Sequence, residues 1–333
     1  MAHYYLSSSP FFLFKVLILK DGDLSTTWPD LAKIVAFFAI LWFIVLTTAD
    51  AIIQPLLRNS KWVLDAFQRN YKHSTTKKER KMLKKMDVLM TKEEYLQLTI
   101  YGFPRMQTVC LQHFVGTCFC IPAIFNIGGF ESATASSIAM LGILSEIGWE
   151  LMDVLRMIYV RIFRENGKKI VPDRVFHIEL AHHSLASCLG IPFILNFHDS
   201  RMLHWMVFDL HFSSAIMMTT STITKFLDIT DPRQMRLFKV LNFICFVVVV
   251  WTRIIHWVYL ASSFAIALFE SGSWAFGLFG SYIGLYVFTR YSFHICVLPL
   301  YNKCKMLPPR KKKRKATKDE SMPIPATQFA SCS

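Results

Sequence analysis

Charge is scarce in this chain. Only 18% of its 333 residues are charged, against 53% hydrophobic and 14% aromatic. That poverty excludes a pair of ordinary soluble domains, whose composition is roughly a quarter charged. The mean hydropathy of +0.36 and several apolar runs of the ~20 residues a bilayer crossing needs point instead to a polytopic membrane protein. A disulfide framework is missing as well. Cys110, Cys118, Cys120, Cys188, Cys245 and Cys296 fall inside apolar segments, with Cys304 and Cys332 beyond them. They read as buried membrane thiols, and Cys118–Cys120 has the wrong spacing for a structural zinc. No internal repeat is visible, which counts against an inverted-repeat transporter. The N-terminal "PFFLFKVLIL" (10–19) is too short, and too interrupted by Lys15, for a cleavable signal; it reads as an interfacial segment. The tail carries no lysosomal, peroxisomal or ER-retrieval signature.

Acidic residues are the scarcer charge: 23 Asp and Glu face 37 Lys and Arg, a formal net charge of +14. In a membrane protein this excess belongs to cytosolic loops facing anionic lipid headgroups, not to nucleic-acid binding. The run "PPRKKKRK" (308–315) directly follows an apolar stretch and reads as a juxtamembrane basic cluster.

Seven spans are expected, at about 34–56, 103–126, 134–160, 176–197, 202–225, 236–268 and 274–301. The loops test that count. Basic residues crowd 58–98, 161–175, 225–239 and the tail, whereas 127–132 and 270–273 have none and 196–201 has one. The alternation predicts a non-cytosolic N-terminus and a cytosolic C-terminus. The expected organisation is a non-cytosolic segment (1–32), an accessory transmembrane helix (33–57), a basic cytosolic linker (58–98), a six-helix unit (99–303) and a basic disordered tail (304–333). The linker's 77–98 stretch reads as an amphipathic, surface-bound helix. The fold class is all-α.

Ionisable groups at membrane depth are costly and mark function, and every helix of the six-helix unit has them. Arg105 and His113 lie on the second span. Glu146, Glu150 and Asp153 on the third are spaced i, i+4, i+7, on one helix face. Glu179, His182 and His183 lie on the fourth, and Asp209, His211 and Ser213 on the fifth. Arg253 and His256 lie on the sixth, and Arg290 and His294 on the seventh. They predict a polar-lined cavity; the competing reading is that acids and arginines merely pair to hold helices together.

Three chemistries suit such a set. A histidine-bound iron or zinc site of the desaturase kind would need repeated boxes, and His177-x4-His182-His183 with His198-x5-His204 lacks them; no metal is expected. A retinal pigment would need an interior lysine on the seventh span, which is absent. Histidine acting as general base remains, with a nearby acid to orient it. His182, His183 and Asp209 are the candidate catalytic residues. Arg105, His113, Glu150, Asp153, Glu179, Ser213, Arg253 and His256 are the candidate cavity lining.

The motifs "PRMQTVCLQHF" (104–114), "SEIGWELMDVLRM" (145–157), "ELAHHSLAS" (179–187), "FDLHFSSA" (208–215) and "VVVWTRIIHWVYL" (248–260) occur in one order over residues 99–300. In that order the chain resembles the TLC-domain membrane proteins, which include the ceramide synthases, as a divergent member. The resemblance implies a TLC-type barrel of six helices around a central lipid cavity, usually in the endoplasmic reticulum. It matches His182 and His183 to the family's paired histidines, Asp209 to its acidic position and Arg253 to its buried arginine. Two functions follow as expectations. One is acyl transfer from acyl-CoA, as co-substrate, onto a sphingoid or other lipid amine or hydroxyl, with no cofactor. The other is non-enzymatic lipid binding that regulates membrane composition or trafficking.

Overall fold

The computed structural model describes residues 19–20, 23–24, 27–73, 89–90, 92–165, 167–306 and 324–325. Most of the expected segment at 10–19, of the stretch 77–98 and of the basic tail lies outside the described residues. Among the described residues the architecture is helical, with two pairs of two-residue strands besides. The helices are α1 (Trp28–Asn59), α2 (Lys61–His73), α3 (Lys92–Phe125), α4 (Ser132–Phe163), α5 (Asp173–Phe197) and α6 (Arg201–Thr224), then α7 (Pro232–Glu270) and α8 (Trp274–Lys305). One π-helical stretch interrupts α7 at Trp251–Ile255, and two interrupt α8 at Ser281–Val287 and Phe293–Val297.

Five of these helices, α1, α3, α5, α7 and α8, are long and apolar enough to cross a membrane. Helices α4 and α6 occupy the positions of the expected third and fifth spans. With 32 and 24 residues they extend about 48 and 36 Å at 1.5 Å per residue, so length does not set them apart; polarity does. The reason is their place in the packing. Helix α4 lies against α1, α3, α5 and α6, and nearly all of it from Ala135 to Asp153 is buried. A helix enclosed by protein can be polar all round where one facing lipid cannot.

Local signals place the helix ends. Thr27 precedes α1, donating from its hydroxyl to Asp30, with Pro29 in the first turn. Asp231 caps α7 by accepting from the Arg233 backbone N–H at 3.0 Å, ahead of Pro232. Between α3 and α4 the chain turns through Gly128 and Gly129 at φ +95° and +65°, a region glycine enters without strain. Arg161 of α4 fastens the next connection: it donates to the Val171 carbonyl at 2.8 Å, pairs with Asp173 and lies over the Phe176 ring. Its guanidinium holds the Asp173 carboxyl below the usual carboxylate range.

Helix α1 is not detached from the rest, although a long linker separates it in sequence. Leu31, Ile34, Phe38, Trp42 and Leu46, a helical stripe, are buried against α4. Trp42 donates to Ser145 Oγ at 3.0 Å and meets Trp149 edge-on. Among the other helices, α3 packs on α4 and α6, α4 on α5, α6 on α7, and α7 on α8. Helix α5 reaches α7 and α8 through Phe193 and Phe197 against Phe264 and Phe276. Helix α2 covers one end, where Phe67 packs with Phe103 and Phe226.

Candidate functional site: a buried histidine–carboxylate network

The acidic face of α4 organises the interior. Asp153 takes a bidentate pair from Arg105 of α3, Nε to Oδ1 at 2.8 Å and Nη2 to Oδ2 at 2.6 Å, the strongest geometry for this pairing. Asp153 Oδ2 also lies 3.1 Å from Nε2 of His183 on α5. Glu179, one turn before His183, brings Oε2 within 3.8 Å of Arg105 and 3.7 Å of His183. On the opposite edge of the His183 ring, Nδ1 stands 3.4 Å from Glu150 Oε1. Three helices thus meet at the Asp153 carboxylate.

His182 is held differently. Its ring stacks on Tyr291 of α8, with centroids 5.8 Å apart and planes 12° from parallel. Its side chain is half-buried, and no hydrogen bond to it occurs among the described residues. Of the two histidines it is therefore the one not held by an ion pair among the described residues.

A second cluster lies further along the bundle. Nδ1 of His113 (α3) and Nδ1 of His211 (α6) are 3.2 Å apart, and Glu146 Oε2 of α4 lies 3.3 and 3.4 Å from them. A third joins α6 to α7. Asp209 Oδ2 is 2.7 Å from His256 Nδ1, and Arg253 donates to Ser213 at 2.8 Å and to Ser214. Arg253 sits in the π-helical stretch of α7, whose extra residue per turn changes the direction of the side chains it carries.

The sequence-selected residues therefore divide. His183, Arg105, Asp153, Glu150 and Glu179 come together, and His182 joins them through the His183 ring at 5.6 Å. Asp209 is paired with His256, and Ser213 with Arg253. His113 belongs with Glu146 and His211. Tyr291, Ser214 and Gly116 were not singled out from sequence. Ser214 had a signal in its neighbour Ser213, whereas Tyr291, which stacks on His182, and Gly116, on which the His211 ring rests, had none, since their roles depend on another helix's side chain.

A cleft of about 140 Å³ opens beside the first cluster, where Ile170 and Val171 of one basic connection and Lys225 at the start of another help line it. Arg105, Arg156 and Lys225 contribute its polar wall, Met106, Val109, Met157 and Val160 its apolar wall, and Asp153 reaches it as well. Arg156 is partly neutralised by Asp50 of α1 at 3.1 Å. Comparison with family models, with curated proteins and with solved structures finds no match.

Proposed function

We propose that the chain is an integral membrane protein of the TLC-domain kind, with α4 and α6 spanning alongside the five apolar helices. In this reading, six helices form a barrel in the endoplasmic reticulum membrane, the N-terminus is non-cytosolic and the C-terminus cytosolic. Its function is acyl transfer from an acyl-CoA onto a lipid amine or hydroxyl. The observation that carries the reading is the cleft: cationic and apolar walls that run together to Asp153, which is hydrogen-bonded to His183. An anionic headgroup carrying a long apolar chain fits both walls. The helix-to-helix contacts support the barrel.

In the reaction, the lipid's amine or hydroxyl attacks the thioester carbonyl carbon. His182 accepts the nucleophile's proton as the new C–N or C–O bond forms. The C–S bond then breaks, and the same proton passes to the departing thiolate. His183 is a positioning residue, clamped by Asp153, Glu150 and Glu179 so that its neighbour's ring keeps its place. A purified-membrane assay with acyl-CoA and a sphingoid base tests this. His182→Ala is expected to lower turnover by about a hundredfold or more, with His183→Ala lowering it less and also destabilising the protein. Unchanged product formation by His182→Ala removes the catalytic assignment. A second reading, a cavity that binds lipid without chemistry, is favoured by the saturation of Asp209 by His256. It predicts lipid retention with no product in wild type.

A further inference from the structure

The buried charge of the bundle does not balance through its arginines. Glu146, Glu150, Asp153, Glu179 and Asp209 face inward; among the described residues Arg105 pairs with Asp153 and Glu179, whereas Arg253 bonds to Ser213 and Ser214 and to none of these acids. The imbalance is sharpest at the second cluster. Only one proton can lie between the two Nδ1 atoms of His113 and His211, and Glu146 Oε2 is buried without a hydrogen bond to either. One turn along α4, both oxygens of Glu150 are also buried without a hydrogen bond, on a side chain only 2% exposed.

The hydrogen bond between the two Nδ1 atoms accounts for only part of this convergence, because Glu146 Oε2 takes no part in it. Their separations are 3.2, 3.3 and 3.4 Å. Ligands held at 2.0–2.1 Å around a tetrahedral zinc stand about 3.3 Å apart. The three atoms thus have the spacing of the corners of one face of a coordination tetrahedron, so that one cation can lie at ligand distance from all of them. The backbone makes room for this. A Cβ on Gly116 would lie 2.6 Å from the His211 ring at Nδ1 and Cε1, so glycine lets that imidazole rest directly on α3.

We propose that His113, Glu146 and His211 bind one divalent cation of the zinc class, leaving a fourth coordination position open. Two imidazoles and one carboxylate with an open position are the ligand set of catalytic zinc and of non-haem iron sites, and a 2+ charge here offsets the carboxylate excess. The inference does not depend on acyl transfer, since its readout is metal content. The helical-box search in the sequence could not reveal it, because the ligands come one each from α3, α4 and α6.

The full chain, purified in detergent and stripped with a chelator, is titrated with Zn²⁺, and bound metal is measured by mass spectrometry. Wild type is expected to hold about one ion per chain and to unfold at a higher temperature with Zn²⁺ than without. Co²⁺ in its place should give the visible absorption of a low-coordinate site. His211→Ala and the shape-conserving Glu146→Gln are expected to lose the ion or weaken its binding by more than about tenfold, while His182→Ala keeps it. Gly116→Ala should weaken binding without removing a ligand. Wild type that takes up no more Zn²⁺ than a His113→Ala/His211→Ala variant overturns the proposal. So does an ion lost with His182→Ala yet retained with His211→Ala.

Discussion

At Asp153 one carboxylate serves three helices: its own α4, α3 through Arg105, and α5 through His183. The side chain is 1% exposed, so water cannot replace a lost partner. Asp153→Asn keeps the shape and removes the charge, leaving Arg105 and His183 facing a neutral amide. Breaking a buried pair from one side costs about 3–5 kcal/mol. The expected outcome is a clearly lower thermal midpoint in detergent, read by size-exclusion or tryptophan fluorescence; a midpoint equal to wild type would show that Glu150 and Glu179 already suffice as partners for Arg105 and His183. The acid's importance was legible, because its spacing with Glu146 and Glu150 sets all three on one face. Its partner was not. Sequence placed Asp209 with the histidine pair, yet Asp209 turns to His256, since rotation of α6 about its axis depends on packing that no local pattern records.

Helix pairing is set where small residues let backbones approach. Gly148 of α4 is the clearest case: a Cβ there would stand 2.6 Å from Phe38 Cβ and 2.9 Å from the Ala39 nitrogen and the Val35 carbonyl. Two of those three atoms are backbone and cannot rotate away. Gly148→Ala is therefore expected to push α1 off α4, with an overpacking cost of about 1–3 kcal/mol and a loosened Trp42–Ser145 hydrogen bond. A cysteine pair across α1 and α4 should then crosslink more slowly than in an otherwise wild-type chain; an unchanged rate and midpoint would contradict the close approach. The same helices show how far composition misleads at this scale. An apolar run led to the expectation of a span at 134–160, yet α4, buried along nearly all of Ala135 to Asp153, is more polar than the five helices long and apolar enough to cross a membrane. Its neighbours, not lipid, are its solvent.

Across the whole molecule, charge asymmetry predicts orientation. The basic connections 161–175 and 225–239 reach the cleft through Ile170, Val171 and Lys225, and the positive-inside rule predicts that this end faces the cytosol. Protease added to sealed microsomes is expected to remove the C-terminal basic tail while a tag at the N-terminus stays protected until the membrane is opened. The reverse pattern would place the cleft away from cytosolic acyl-CoA and overturn the proposed route of that substrate.

Hydropathy, a local quantity, determined by itself that this is a helical chain with segments long and apolar enough to cross a membrane, and helical periodicity put three acids on one face of the third long helix. The π-helical stretch at Arg253, the closeness of α1 to α4 and the choice of partners among the histidines were decided only in three dimensions. An ionisable side chain at membrane depth announces that it needs a partner, because burial makes solitude costly. Which partner it receives depends on the rotation and depth of a different helix, fixed by interlocking contacts such as Gly116 beneath His211 and Gly148 against Phe38.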